Sequence, residues 1–396
     1  VLKTAVMFGA DAVYIGGEAF GLRAKAKNFS MEDMKEGVQF AHEHGARVHV
    51  TVNILAHNDD LEGAAEYLKE LKEIGPDALI IADPAIFMLA KEICPEIERH
   101  VSTQANNTNY GTFNFWWNLG AKRVVTAREL SLKEIREIRA HIPAEMEIES
   151  FIHGAMCISY SGRCLLSNFF TGRDANQGAC THPCRWKYSV VEETRPGEYM
   201  PVYENERGTY IFNSKDLCMI EHIPEMIDAG IDSFKIEGRM KTALYVATVA
   251  RTYRKAIDDY LEDPKKYEAN MPWYRDQISN CTYRQFTTGF YFGKPGDESQ
   301  IYDSNTYIKE YTYLGIIGGI KDGMYRIEQR NKFSVGETVE IMKPDGQNVE
   351  VTVEKIIDED GQEQESAPHP KQVLYVALSG EASVYDILRR QEDVTE

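Results

Sequence analysis

The sequence predicts an α/β protein built on a TIM-barrel-like (β/α)8 domain, followed by a small all-β barrel. Three observations carry this. Short β-branched runs alternate with amphipathic helical patterns from residue 1 to about residue 239. Those runs are apolar enough to be buried on both faces, as parallel strands are. From Tyr311 onward the texture changes to short strands separated by Asp-Gly turns.

In order, Leu2–Phe8 reads as a helix end and Ala12–Ile15 as the first strand. Met31–His44 is the next helix, with Ser30 as N-cap and Gly45 past its end. Strands then follow at Arg47–Val52, Ala78–Ile81, His100–Thr103, Arg123–Thr126, Glu147–Ile152 and Ser233–Ile236. Helices are expected at Asp60–Ile74, Pro84–Ile93, Tyr110–Leu119, Leu132–His141, Leu217–Ala229 and Thr242–Leu261. These strands number seven, and the chain opens without Met and almost in mid-motif. A further strand is therefore expected before Val1, giving the eight that close a barrel. The rival is an open doubly wound sheet, but the segment after the first strand, Gly16 to Gly21, lacks the G-x-G-x-x-G spacing.

Residues 1–262 are thus expected to form the barrel domain, with a cysteine-bearing insertion at 158–215. Within it, Lys187–Val191 and Thr209–Phe212 read as a hairpin. Residues 263–310 read as a wrapped connector, residues 311–396 as the small β-barrel, and Gln391–Glu396 as a frayed end. In the barrel, strands are expected at Tyr313–Ile317, Met324–Glu328, Glu337–Met342, Val349–Ile357 and Gln372–Ala377.

The formal net charge of −18 argues against non-specific nucleic-acid binding, which depends on Lys and Arg meeting phosphates. A local basic and aromatic patch remains: Arg163, Arg173, Arg185 and Lys187 among Phe169, Phe170, Trp186 and Tyr188. No run approaches 18 apolar residues and no signal peptide is visible, so a cytoplasmic protein off the membrane is expected.

Polar residues recur just past the strand ends, where barrels place their active sites. They are Asn53, Asp83, Ser102-Thr103-Gln104, Arg128-Glu129, His153, Lys235, Glu237 and Arg239. Five of the seven cysteines fall within 62 residues: Cys157, Cys164, Cys180, Cys184 and Cys218. Without an export signal, such clustering favours a metal centre over disulfides. Zinc sites prefer two close C-x2–4-C pairs, and only Cys180/Cys184 qualifies. Irregular spacing suits a [4Fe–4S] cluster, with zinc as the alternative. Cys157, Cys164 and Cys180 are the expected ligands, with Cys184 or Cys218 as the fourth. Cys218 is expected in the first turn of a helix, where the dipole stabilises a thiolate. Cys94 and Cys281, far from the block, read as core residues.

The segment Glu149-x-Phe151-x2-Gly154-Ala155-Met156-Cys157-x4-Gly162-x-Cys164-x-Leu166-Ser167 resembles the signature of the peptidase U32, or collagenase-like protease, family. Gly9–Gly16, Ser102–Gln104, Ala127–Leu130, Asp216–Cys218 and Lys235–Arg239 look like its other landmarks. The resemblance covers nearly the whole chain and implies a TIM-barrel-like fold. It brings two functional labels, peptidase and oxygen-independent hydroxylase with an iron–sulfur cluster on the cysteines. The most similar branch forms 5-hydroxyuridine at the tRNA wobble position, with prephenate implicated as oxygen donor. Hydroxylation explains the convergent thiolates. The chain contains neither H-E-x-x-H nor G-x-S-x-G, while a Cys157–His153 pair is the route left to a peptidase. A zinc-containing RNA- or protein-binding module is the non-enzyme alternative. Arg128, Arg163 and Arg239, with Gln104 and Lys235, are candidate binders of a prephenate-like carboxylate donor. Glu149, His153 and Glu237 are candidate acids or bases.

Overall fold

The computed structural model describes residues 1–21, 28–156, 166–173, 180–181, 183, 189–190, 200–201, 215–239, 241–281, 285–295 and 311–392. The chain opens with α1 (Leu2–Met7), β1 (Ala12–Gly16), α2 (Met31–Glu43), β2 (Arg47–Val52) and α3 (Asn58–Ile74). It continues through β3 (Ala78–Ile81), α4 (Pro84–Ile93), β4 (Glu98–Val101), α5 (Tyr110–Leu119), β5 (Arg123–Val125), α6 (Leu132–Ala140) and β6 (Glu147–Ala155). Local signals set these boundaries. Ser30 and Asp33 form a reciprocal capping box at α2, and Ser131 and Glu134 repeat it at α6. Gly75 and Gly120 end α3 and α5 in the left-handed conformation.

Each of β1 to β5 pairs in parallel with its successor in sequence. The insertion after β6 holds α7 (Leu166–Thr171), β7 (Ser189–Val190), β8 (Met200–Pro201) and β9 (Asp216–Cys218), and then α8 (Ile223–Asp228) leads into β10 (Ser233–Ile236), parallel to β6. All seven expected parallel strands are present. Their order follows the sequence without the reversal of a doubly wound sheet, which makes the arrangement TIM-barrel-like.

Three expectations change inside and after the insertion. The helix expected at Leu217–Ala229 is β9 followed by the short α8. Pro224 stands in the first turn of α8, and proline disfavours a helix running through the preceding residue. Asp216–Cys218 instead lies antiparallel to the end of β6. The first strand of the expected hairpin, β7, pairs antiparallel with β8; Thr209–Phe212 lies outside the described residues. The connector opens on a helix: α9 (Ala243–Glu262) is followed at once by α10 (Pro264–Ser279), and then comes β11 (Phe286–Thr287). Pro264 opens α10 at a position where its missing N–H costs nothing, and Asp263 caps it.

The second sheet is a closed antiparallel barrel of β12 (Tyr311–Lys321), β13 (Met324–Gln329), β15 (Thr338–Met342), β16 (Asn348–Asp358), β19 (Val373–Leu378) and β20 (Ile387–Gln391). Its small additions are β14 (Phe333–Ser334), β17 (Glu363–Gln364) and β18 (Ser366–Ala367). Pairing of β15 with β16 closes the ring, which removes the exposed edges. Asp322 and Gly323, both at positive φ, make the two-residue turn between β12 and β13. Leu314, Ile327, Ile341, Val353 and Leu374 are among the residues that fill the interior.

The chain divides into two compact units. One is Ala12–Met240 with Arg284–Thr306; the other is Val1–Asp11, Lys241–Tyr283 and Tyr307–Glu396. Residues 241–262, expected with the first barrel, therefore group with the second. The reason is packing. Leu244 and Ala247 of α9 sit with Phe8, Met342 and Ile387, and buried Arg251 donates to the carbonyls of Lys343 and Gln347.

Candidate functional site

The alternation of a strand puts every second residue on one face. In β2, β4, β6 and β10 one such set is polar: His49 and Thr51, Glu98 and His100, Glu147 and Glu149, Ser233 and Lys235. Arg123 of β5 meets three of these side chains, Glu147, Glu149 and Ser233, in an ionic layer. Arg123 reaches Glu147 at 2.6 Å and Glu149 at 2.9 Å. Glu149 also accepts from Ser233 at 2.8 Å and from the Lys235 ammonium at 2.5 Å. Burial alone would raise the Glu149 pKa, but Lys235 and Arg123 outweigh it and hold the carboxyl well below the usual range. Beside this layer, the rings of His49 and His100 meet edge to face at 4.7 Å. Burial first, and then its neighbour His100, pushes the His49 imidazole down to about 3.

A cavity of about 60 Å³ opens past the strand ends. Among its lining residues are Asn53, Ser102, Thr103, Gln104, Arg128, Lys235, Glu237 and Arg239, all singled out by the sequence. Arg128 lies over the Phe151 ring at 4.0 Å and approaches Glu237 at 3.8 Å. Lys235 sits 4.4 Å from the centre of the Tyr14 ring. Arg239 donates to Asn28 Oδ1 at 2.8 Å and Thr51 Oγ1 at 3.3 Å. Asn53 Oδ1 and Gln104 Oε1 are buried without a protein hydrogen-bond partner. The result is a small pocket with cationic forks, an aromatic wall and amides to spare. Groups of this kind, beside the Glu237 carboxylate, can hydrogen-bond a compact ligand bearing carboxylates and hydroxyls.

The other candidates fall elsewhere. Asp83 caps α4, accepting from the Ala85 and Ile86 amides. Glu129 does not line the cavity, and burial raises its pKa. Glu149 lies in the ionic layer beside Lys235; held ionised by two cations, it is a counter-ion rather than an acid. His153 is buried, does not line the cavity, and stands directly across the ladder from Cys218. Arg163, Cys157, Cys164 and Cys184 lie outside the described residues.

Cys218 is therefore a strand residue, not the helix N-terminal one expected. It and Cys180 are half-buried, whereas Cys94 and Cys281 are buried, as read from the sequence. Two ties bring cysteine-bearing segments together. Ala155, two residues before Cys157 in sequence, pairs with Asp216, two before Cys218. Ser167, three residues after Cys164 in sequence, receives the amide of Thr181, which follows Cys180. Among the described residues no three His, Cys, Asp or Glu side chains form a metal-binding group. The donor chemistry and the two ties fit a thiolate-held cluster.

Sequence reading missed Tyr14, Thr51, Phe151, Arg123, His49 and His100. The signal was available as polar residues on alternate positions of otherwise apolar strands. Among the described residues no helix is long and apolar enough to cross a membrane.

Comparison with known proteins bears on this site. Residues 1–301 match the model of peptidase family U32, and residues 309–389 that of the family's C-terminal domain. A Bacillus subtilis relative called tRNA hydroxylation protein P1 is 42% identical over 98% of this chain and 92% of its own length. Escherichia coli tRNA hydroxylation protein P is 38% identical over 93% of this chain and 89% of its own. The Escherichia coli 23S rRNA 5-hydroxycytidine C2501 synthase is 40% identical over 66% of this chain and 38% of its own.

Proposed function

The chain belongs to peptidase family U32, and from that premise we propose that it hydroxylates RNA, converting the wobble uridine of tRNA to 5-hydroxyuridine. The names of its relatives support RNA hydroxylation as the reaction class. The observation that carries the finer reading is the cavity, whose Arg128 and Arg239 forks suit a small polycarboxylate.

In this reading the oxygen donor is prephenate. Its carboxylates meet Arg128 and Arg239, and its ring lies toward Phe151 and Tyr14. The Glu149 counter-ion neutralises Lys235, which keeps that ammonium in place without adding net charge. Asn53 Oδ1 and Gln104 Oε1 offer acceptors to the donor's hydroxyl. Cys157, Cys164, Cys180 and Cys218 would hold a [4Fe–4S] cluster, the tie between Ala155 and Asp216 favouring Cys218 over Cys184. Bound there, the cluster supplies one-electron chemistry at the cysteine block.

Nucleoside analysis of tRNA from a deletion strain tests the reaction. Loss of 5-hydroxyuridine and its derivatives, restored by this chain, is expected; unchanged nucleosides in a strain without a paralogue reject it. Anaerobically purified protein is expected to be brown with stoichiometric iron and sulfide, and a colourless zinc protein rejects the cluster.

A further inference from the structure

We propose that Gly16 is a positioning residue whose missing side chain forms the slot in which Arg239 receives a carboxylate of the small-molecule donor. The inference rests on the anionic donor proposed above. Arg239 follows β10, yet its guanidinium lies against the end of β1. A Cβ built on Gly16 comes 1.8 Å from Arg239 Nη2, 2.4 Å from Cζ and 2.8 Å from Nη1, so any side chain there excludes the observed guanidinium. Gly21 stands close on another side, its Cβ position 3.3 Å from Nη2 and 3.4 Å from Thr51 Oγ1. The hydrogen bonds to Asn28 and Thr51 complete the clamp, and the same arginine lines the cavity.

The glycine is not needed for the backbone. Gly16 is the last residue of β1, paired with Thr51 in regular register, and its φ lies outside the left-handed region. Alanine therefore suits the strand's backbone, and the three nearest atoms it would meet all belong to the Arg239 guanidinium. The guanidinium accounts for a glycine at this point. A pre-aimed fork binds a carboxylate through two parallel hydrogen bonds without first losing rotamer freedom. Displacing it should weaken the donor and leave the fold intact.

The test is calorimetric titration of the full-length protein with prephenate, in the wild type, Gly16→Ala, Arg239→Ala, the double variant, Arg239→Lys and Gly16→Ala in the Arg239→Lys background. We expect Gly16→Ala and Arg239→Ala each to weaken binding about tenfold or more. The double variant should be no weaker than Arg239→Ala, because both changes remove one interaction. With lysine at 239, whose slim ammonium needs no slot, Gly16→Ala should add little further loss. Wild-type affinity in Gly16→Ala, or losses that multiply in the double variant, overturns the proposal. If the wild type binds no prephenate, the donor assigned above falls instead. The slot is then judged by 5-hydroxyuridine restored in the deletion strain, where full activity of Gly16→Ala beside an inactive Arg239→Ala overturns it.

Discussion

Glu149 and Lys235 meet at 2.5 Å between neighbouring parallel strands, and Arg123 approaches the other oxygen of the same carboxylate at 2.9 Å. One buried anion thus serves two cations, one of which lines the cavity. Glu149→Gln keeps the shape and removes the charge, leaving Lys235 without this carboxylate and Arg123 with Glu147 alone of its two. A loss of about 3 to 5 kcal/mol in urea unfolding is expected, since breaking a buried pair strands its partner. The pH dependence follows in sign. The folded carboxyl is depressed, so its contribution is complete above the unfolded value of about 4.3 and fades as pH falls below it. Glu149→Gln should flatten that acid limb, and wild-type stability in this variant would sink the counter-ion role.

His49 titrates in the opposite chemical sense with the same slope. Folded, its pKa is pushed down to about 3; unfolded, it takes a proton at about 6.5. Between those values the unfolded chain binds the extra proton, so stability rises with pH and falls on acidification from pH 7 to 5. The urea midpoint of the wild type should drop over that range. His49→Gln should drop by less, and equal drops would show that His49 is not the group responsible.

Most of the architecture was legible because the signals were local. Ser30 caps a helix as expected, Asp83, Asn109 and Ser131 cap three more at the starts the sequence marks, and strand composition marks the parallel sheet. Residues past the strand ends predicted the cavity because topology fixes where those ends point. What stayed hidden depends on pairing between distant segments. Cys218 belongs to a strand because the end of β6 is available to receive it, and propensity over Leu217–Ala229 carries no trace of that partner. Glu149 looked like an acid until Arg123 and Lys235, 26 positions before and 86 after it, were found on its oxygens. The same holds for α9, whose amphipathic pattern shows a buried face but not which sheet covers it.

Tyr291 offers a quieter test of how the segment after β11 is held. Its buried hydroxyl donates to the Phe151 carbonyl at 2.5 Å, and burial raises its pKa. The Leu132 amide in turn donates to the Tyr291 carbonyl. Tyr291→Phe fills the same space but leaves the Phe151 carbonyl without this donor. A loss of about 1 to 3 kcal/mol is expected in urea unfolding, with the midpoint shifted and the slope unchanged. Because Phe151 forms a wall of the cavity, weaker prephenate binding should accompany the loss.

The ladder between β6 and β9 supports Cys218 as the proposed fourth ligand. Cys184 follows Cys180 at the spacing of a zinc knuckle, whereas Cys218 lies opposite His153, at the end of the strand that leads into Cys157. Residues directly opposite in an antiparallel pair share a face, with Cβ atoms about 5 Å apart. His153, whose ring lies 5.6 Å from that of Phe286, therefore shares a face with the half-buried Cys218. A metal bound to a half-buried thiolate offsets the cost of desolvating its charge. Cys218→Ala should lose most of its iron, sulfide and brown absorbance after anaerobic reconstitution, while Cys184→Ala should keep them. The measurement is iron and sulfide per chain alongside the visible spectrum, with the thermal midpoint as a check that both variants fold. Retained iron in Cys218→Ala together with loss in Cys184→Ala reverses the assignment, and makes the Cys180/Cys184 pair the anchor of the site.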